Sequence, residues 1–233
     1  MTTHARSLVW LFDIDGTLLH TQGAGRDAIS AALRDQFGVD DDLQGIAFRG
    51  RTDPLILGDI CAKHGIAFRD GELRRFWDRV TEHMRAFMDP PRGNLLPGVN
   101  ALLDAVSAEP AWVRALLTGN VREMARIKLS AFGVYEKFGW GVFGEEGTDR
   151  NALARLAIAR AGAQHGVPPD CCIVVGDTEH DIACARAAGA RAVAVATGGT
   201  SREALAAQAP DLLLTDFSET GELWRWIDRS FSN

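Results

Sequence analysis

The chain has 233 residues, 46% of them hydrophobic and 24% charged. That is the balance of a soluble globular protein, long enough to bury a core without disulfides. A net charge of -6 sets the surface against nucleic-acid phosphates and anionic lipid, so neither is an expected partner. Any bound phosphate must be held by a local group of cations, helix ends or a metal.

Met1 to Ser7 precede only five apolar residues, Leu8 to Phe12. That run is too short for a secretion signal, and no stretch is long enough to span a membrane, so a cytoplasmic protein is expected. Leu8 to Phe12 reads as a strand buried on both faces, closed by Asp13. The stretch that follows has no buried-strand pattern. It shows helical spacing over Ala28 to Phe37, Pro54 to His64 and Glu72 to Met88, and is punctuated by Pro90 to Gly93 and Pro97-Gly98. Beyond it, apolar runs at Trp112 to Leu117, Trp140 to Phe143, Cys171 to Val175, Ala192 to Ala196 and Leu212 to Leu214 alternate with helical patterns. These helices cover Val99 to Val106, Met124 to Phe132, Leu153 to Ala161 (closed by Gly162) and Asp181 to Ala188. Trp224, Trp226 and Ile227 are expected to dock a C-terminal helix on the core.

Strands alternating with helices predict an α/β fold, a Rossmann-like parallel sheet covered on both faces, with an inserted all-helical domain. The expected division is a core of 1–19 and 94–233 and a helical cap of 20–93. Cys61, Cys171, Cys172 and Cys184 lack zinc-type spacing and read as reduced interior thiols.

Three strand ends carry polar residues. Asp13-Ile14-Asp15-Gly16-Thr17 follows the first strand, where two carboxylates on an extended segment project from the ligand-binding edge of an open sheet. Thr118-Gly119-Asn120 ends another strand before a helix. A hydroxyl and backbone N–H groups there can hold phosphate oxygens, and the same residues equally suit an ordinary N-cap turn. Val175-Gly176-Asp177-Thr178-Glu179-His180-Asp181 ends a third. Its acids suit Mg²⁺, or serve as first-turn acids of a helix. In a parallel sheet the three ends meet on one edge.

Taken in order, Asp13-x-Asp15-Gly16-Thr17, Thr118-Gly119-Asn120, Lys128 and Gly176-Asp177-Thr178-x-x-Asp181 resemble the haloacid-dehalogenase-like hydrolase superfamily, most of all its phosphoglycolate-phosphatase-like branch. The resemblance spans nearly the whole chain. It is specific for the superfamily and not for the substrate. It implies a Mg²⁺-dependent phosphatase acting on a small phosphorylated metabolite. Asp13 would be the nucleophile and Asp15 the acid for the leaving alcohol. Thr118, Gly119, Asn120 and Lys128 would bind phosphate. Asp13, the carbonyl of Asp15 and Asp177 would bind Mg²⁺, supported by Asp181.

Asp15 is absent from the dehalogenases themselves, which favours phosphate transfer. As an acid, it is expected to lie near other carboxylates that raise its pKa. Many relatives carry the phosphate-binding lysine in a Lys-Pro pair, whereas Thr148-Asp149-Arg150 stands there in this chain. Lys128 is assigned that role, with Arg150 in reserve. Arg49 and Arg51 in the cap resemble a loop that faces the active site and are assigned to substrate binding, the alternative being ion pairs with Asp53 or Asp59. Glu145 and Glu146 read as a solvated loop. A phosphotransferase or sugar-phosphate mutase is a second reading, disfavoured because Gly23 to Arg26 lacks the cap histidine of mutases. A non-catalytic phosphate- or metal-binding regulator is a third. Monomer and homodimer are both open.

Overall fold

A computed structural model describes residues 6–218 and 220–231. In chain order the elements are β1 (Leu8–Phe12), β2 (Leu19–His20), α1 (Ala24–Phe37), α2 (Asp53–His64), α3 (Glu72–Phe87), β3 (Asn94–Leu95), α4 (Val99–Ala108), β4 (Trp112–Leu117), α5 (Arg122–Ala131), β5 (Trp140–Val142), α6 (Arg150–His165), β6 (Cys172–Gly176), α7 (Glu179–Ala187), β7 (Arg191–Val195), α8 (Arg202–Ala207), β8 (Leu212–Leu214) and α9 (Gly221–Phe231). Six strands form one sheet in the order β5-β4-β1-β6-β7-β8, every pair parallel. The chain is therefore an α/β protein with a Rossmann-like sheet.

β1 lies at the centre, paired with β4 on one side and β6 on the other. All five of its residues are wholly buried, as a strand covered on both faces requires. The order of connections reverses at β1, which opens a crevice beyond the carboxyl ends of the strands. Phe12 is in register with Leu116 and with Val175. Asp13, Thr118 and Asp177 therefore leave the sheet at nearly one level.

The apolar interior is in two parts. One surrounds the sheet. The other is formed by Ile29 and Leu33 of α1, Ile56 and Ile60 of α2, Phe76, Val80 and Met84 of α3, and Met124 and Ile127 of α5. On α5, Ala125 and Leu129 face the sheet interior while Met124 and Ile127 face the helical one. The short antiparallel pair β2–β3, with His20 opposite Asn94, joins the chain where it leaves and re-enters the sheet layer. Two residues are too few to carry a periodic signal, so this pair was not legible in the sequence.

Helix bounds differ from expectation by up to four residues at an end, as at the start of α1 and the end of α6. α6 runs through Gly162 to His165 and ends at Gly166, which has φ 66° and whose N–H donates to the Gly162 carbonyl. Gly162 costs the helix about 1 kcal/mol relative to alanine, and burial of Ala157, Ile158 and Ala161 beside it offsets that loss. The four cysteines are free thiols. Glu145 and Glu146 are not simply solvated: Glu145 accepts the Arg122 N–H at the start of α5, and Glu146 pairs with Arg160 at 2.8 Å.

Candidate active site

The three strand ends line one cavity of about 510 Å³, closed on its far side by residues of α1 and of the 48–53 segment. Asp13 is fixed through its backbone N–H, which donates to Val175. Gly16 follows with φ 83°, and a side chain there would lie 2.5 Å from an Asp177 carboxylate oxygen. Only glycine allows both the turn and that approach. Thr17 Oγ1 donates to Asp177 Oδ1 at 3.2 Å.

Asp13, Asp177 and Asp181 each offer a carboxylate oxygen within 4.8 Å of the others. Burial, with repulsion from Asp181 and Asp15, raises Asp13 to about 7 against the attraction of Arg150. Burial, with repulsion from Asp13 and Asp181, raises Asp177 to about 8. Three hard oxygen donors that repel one another when ionised could hold a metal ion, because a divalent cation relieves that repulsion. Asp181 is engaged from both sides. One oxygen accepts from Arg150, and the other accepts the Thr178 N–H at 3.1 Å and its hydroxyl at 2.7 Å.

Asp15 points elsewhere. Its Oδ2 accepts from Lys128 Nζ at 2.7 Å and from Asn120 Nδ2 at 2.8 Å. Its hydrogen-bond partners are thus an amine and an amide, while Asp13 and Asp53 lie close enough to be raised by its charge, in line with the expectation that other carboxylates are near. Asn120 also accepts from Lys128 at 2.6 Å and donates to Thr118 Oγ1 at 2.9 Å. Thr118 is wholly buried, and Lys128 is 5% exposed. Gly119 is confined by the 48–53 segment, since a side chain on it would lie 2.0 Å from the Arg51 carbonyl.

Both candidate cations reach this cavity. Lys128 serves the Asp15 side. Arg150, also nearly buried, donates to Asp13 at 2.8 Å and to Asp181. Burial works against the charge of Arg150, but Asp181 and Asp13 hold it firmly protonated.

In the 48–53 segment, Arg49 Nη1 donates to the Gly199 carbonyl at 2.8 Å. Arg51 is paired with Asp59. Asp53 does not pair with either arginine. Its N–H donates to the Gly119 carbonyl, and its Oδ2 accepts the Val121 N–H, both at 2.8 Å. Burial raises its pKa to about 6, opposed by Lys128 and the Val121 N–H. Among the cavity residues not singled out in the sequence are Arg26, whose guanidinium lies 5.2 Å from the Phe48 ring centroid, and Phe48 itself. The contact joins residues 22 positions apart on different elements, which no local pattern reveals.

Known proteins share this sequence pattern and fold. A HAD-hydrolase-like family model matches residues 150–220. A phosphoglycolate phosphatase of Cereibacter sphaeroides is 32% identical over 186 residues, covering 78% of this chain and 81% of that protein. The crystal structure of a predicted phosphoglycolate phosphatase from Haemophilus somnus 129PT superposes with a TM-score of 0.73 at 20% identity, covering 94% of this chain and 98% of that one. CbbY from Rhodobacter sphaeroides, solved in complex with phosphate, superposes with a TM-score of 0.67 at 20% identity, covering 92% and 96%. The chain belongs to the haloacid-dehalogenase-like hydrolase superfamily, in its phosphoglycolate-phosphatase-like branch of phosphoric monoester hydrolases. Among the described residues no helix is long and apolar enough to cross a membrane.

Proposed function

We propose that this chain is a Mg²⁺-dependent phosphatase of small anionic metabolites that works through an aspartyl-phosphate on Asp13. The observation that carries the reading is the convergence of Asp13, Asp15, Lys128, Arg150 and Asp177 on one cavity at the carboxyl edge of the sheet. An Asp13 carboxylate oxygen attacks phosphorus and the phosphorus–oxygen ester bond breaks. Asp15 gives its proton to the departing alkoxide, so an alcohol leaves and an acyl phosphate remains. Water then attacks phosphorus, Asp15 takes the water's proton, and inorganic phosphate departs with Asp13 regenerated.

Thr118, Gly119 and Asn120 at the start of α5, together with Lys128, hold the phosphoryl oxygens. Arg150 steadies Asp13 and Asp181. The hydrogen bonds of Lys128 and Asn120 to Asp15 orient it toward the leaving group. Asp13, the Asp15 carbonyl and Asp177 would hold Mg²⁺, with Asp181 supporting them. The ion supplies charge that offsets repulsion between the carboxylate nucleophile and the anionic ester.

The cap bounds of 20–93, with a core of 1–19 and 94–233, belong to the same proposal and are supported by the β2–β3 pair at its neck. Of the two arginines in the cap loop, Arg49 has no carboxylate partner among the described residues and is assigned to the substrate, whereas Arg51 is held by Asp59. A cytoplasmic metabolite is the expected substrate, phosphoglycolate being one example, since that is the named substrate of the Cereibacter relative.

The test is phosphate release from a panel of phosphate esters, with and without Mg²⁺, by wild type and by Asp13→Asn. Release by wild type only in Mg²⁺, and loss of at least about 10³-fold in Asp13→Asn, is the expected result. Comparable turnover by the variant would overturn the nucleophile assignment.

A further inference from the structure

The cations of the cavity divide by what they touch. Lys128 is matched by Asp15 at 2.7 Å and Arg150 by Asp13 and Asp181. Arg51 is matched by Asp59. Arg26 and Arg49 have no carboxylate partner among the described residues. Arg49 meets only the Gly199 carbonyl, and Arg26 meets the face of Phe48. Asp27, the acid next to Arg26 in sequence, is turned to Arg92 at 2.6 Å. Two guanidinium groups therefore border a partly enclosed space without a counter-charge. One lies over the Phe48 ring and the other belongs to the next residue in the chain.

Their position relative to the chemistry is also fixed. Lys128 Nζ lies 3.5 Å from where a side chain on Gly25 would begin. The amine that contacts Asp15 is thus directly beside the backbone that carries Arg26. Arg26 and Asp13 line the same cavity, so an ester with its phosphate at Asp13 shares that space with the Arg26 side chain. A guanidinium stacked on an aromatic ring is held in orientation while its edge N–H groups remain available, the arrangement that binds carboxylate or phosphate through paired hydrogen bonds.

We propose that Arg26, held over Phe48 and assisted by Arg49, is the specificity-determining residue for a second anionic group on the substrate. The group it reads is a carboxylate or a second phosphate a few bonds from the ester oxygen, and what is assigned is the residue that reads it. Arg51, already matched by Asp59, is not part of this subsite. The inference rests on the phosphatase reading above.

The experiment compares esters matched in length. 2-Phosphoglycolate is set against 2-hydroxyethyl phosphate, and 1,3-propanediol bisphosphate against 3-hydroxypropyl phosphate, for wild type, Arg26→Met, Arg26→Lys and Arg51→Met. Wild type is expected to prefer the doubly anionic member of at least one pair, and the pair with the larger preference identifies carboxylate or phosphate as the group read. Arg26→Met should reduce that preference in kcat/KM by about 10- to 100-fold, the scale of one lost charge-assisted contact. Arg26→Lys should lose less, and Arg51→Met should keep the preference. Equal losses on both members of each pair, a preference carried by Arg51, or a wild type that hydrolyses neutral and anionic esters alike would overturn the subsite while leaving the phosphatase reading standing. No phosphate release from any ester would overturn both.

Discussion

In the sheet layer, every cation that reaches the cavity is matched by an acid from a distant part of the chain: Lys128 by Asp15, Arg150 by Asp13 and Asp181. In the helical layer, Arg26 meets a ring and Arg49 a backbone carbonyl. The first arrangement holds the groups proposed to be catalytic in place before a ligand arrives, so little reorganisation remains for the reaction itself. The second leaves positive charge to be satisfied by whatever enters. α5 connects the two. It packs Ala125 and Leu129 on the sheet side and Met124 and Ile127 on the helical side, and it carries Lys128 between them.

Arg150→Ala and Lys128→Ala give the largest expected separation. Arg150 is 7% exposed between two carboxylates, so removing it leaves buried acids unmatched and should cost about 3–5 kcal/mol of stability. Lys128→Ala should instead act mainly on phosphate affinity, raising the inhibition constant of inorganic phosphate more than Arg150→Ala does. Thermal unfolding and phosphate inhibition measured on both variants check this. The reverse ranking in phosphate affinity would give the phosphate-binding role to Arg150.

Asp53 tests how the helical layer is fastened to the sheet layer. Its folded pKa is raised to about 6, chiefly by burial, from an ordinary 3.8. For an acid, a raised folded value means that the folded state binds the proton more tightly than the unfolded chain does. Stability from this group is present below pH 4 and is lost as pH rises through about 6. Asp53→Asn cannot ionise, and its amide oxygen can still accept the Val121 N–H. The variant should therefore gain stability relative to wild type as pH rises from 4 to 7, in paired denaturant titrations. A constant difference across that range would remove the ionisation of Asp53 as the source.

The smallest effect is expected at Arg51, half of a partly exposed ion pair. Arg51→Ala should change stability by no more than about 1 kcal/mol and leave phosphate inhibition near wild type. A large loss of phosphate affinity would mean that Arg51 leaves Asp59 for the ligand.

The sheet was readable because parallel strands buried on both faces become continuous apolar runs. β1, β4 and β8 have the expected bounds, and the others shift by a single residue at one or both ends. The strand-end acids were readable for the same reason, since each interrupts such a run. What escaped depends on contacts between segments distant in sequence. Asp53 had the look of an ion partner for nearby arginines, but docking of the 48–53 segment on Gly119 gives it a backbone N–H instead. The short α8 and the two-residue β2 and β3 had too few positions to establish a period.

The central place of β1 also has a consequence for how the protein is made. The strand bearing Asp13 leaves the ribosome well before the two strands that flank it, which begin at Trp112 and Cys172. At ordinary synthesis rates, about 10–30 s pass between the emergence of β1 and that of its second neighbour. Through that interval a wholly apolar segment waits with an unpaired edge. Assembly of the surroundings of Asp13 is thus a late event of high contact order, and the nascent chain is most exposed to aggregation just before the second wall of the cavity is synthesised.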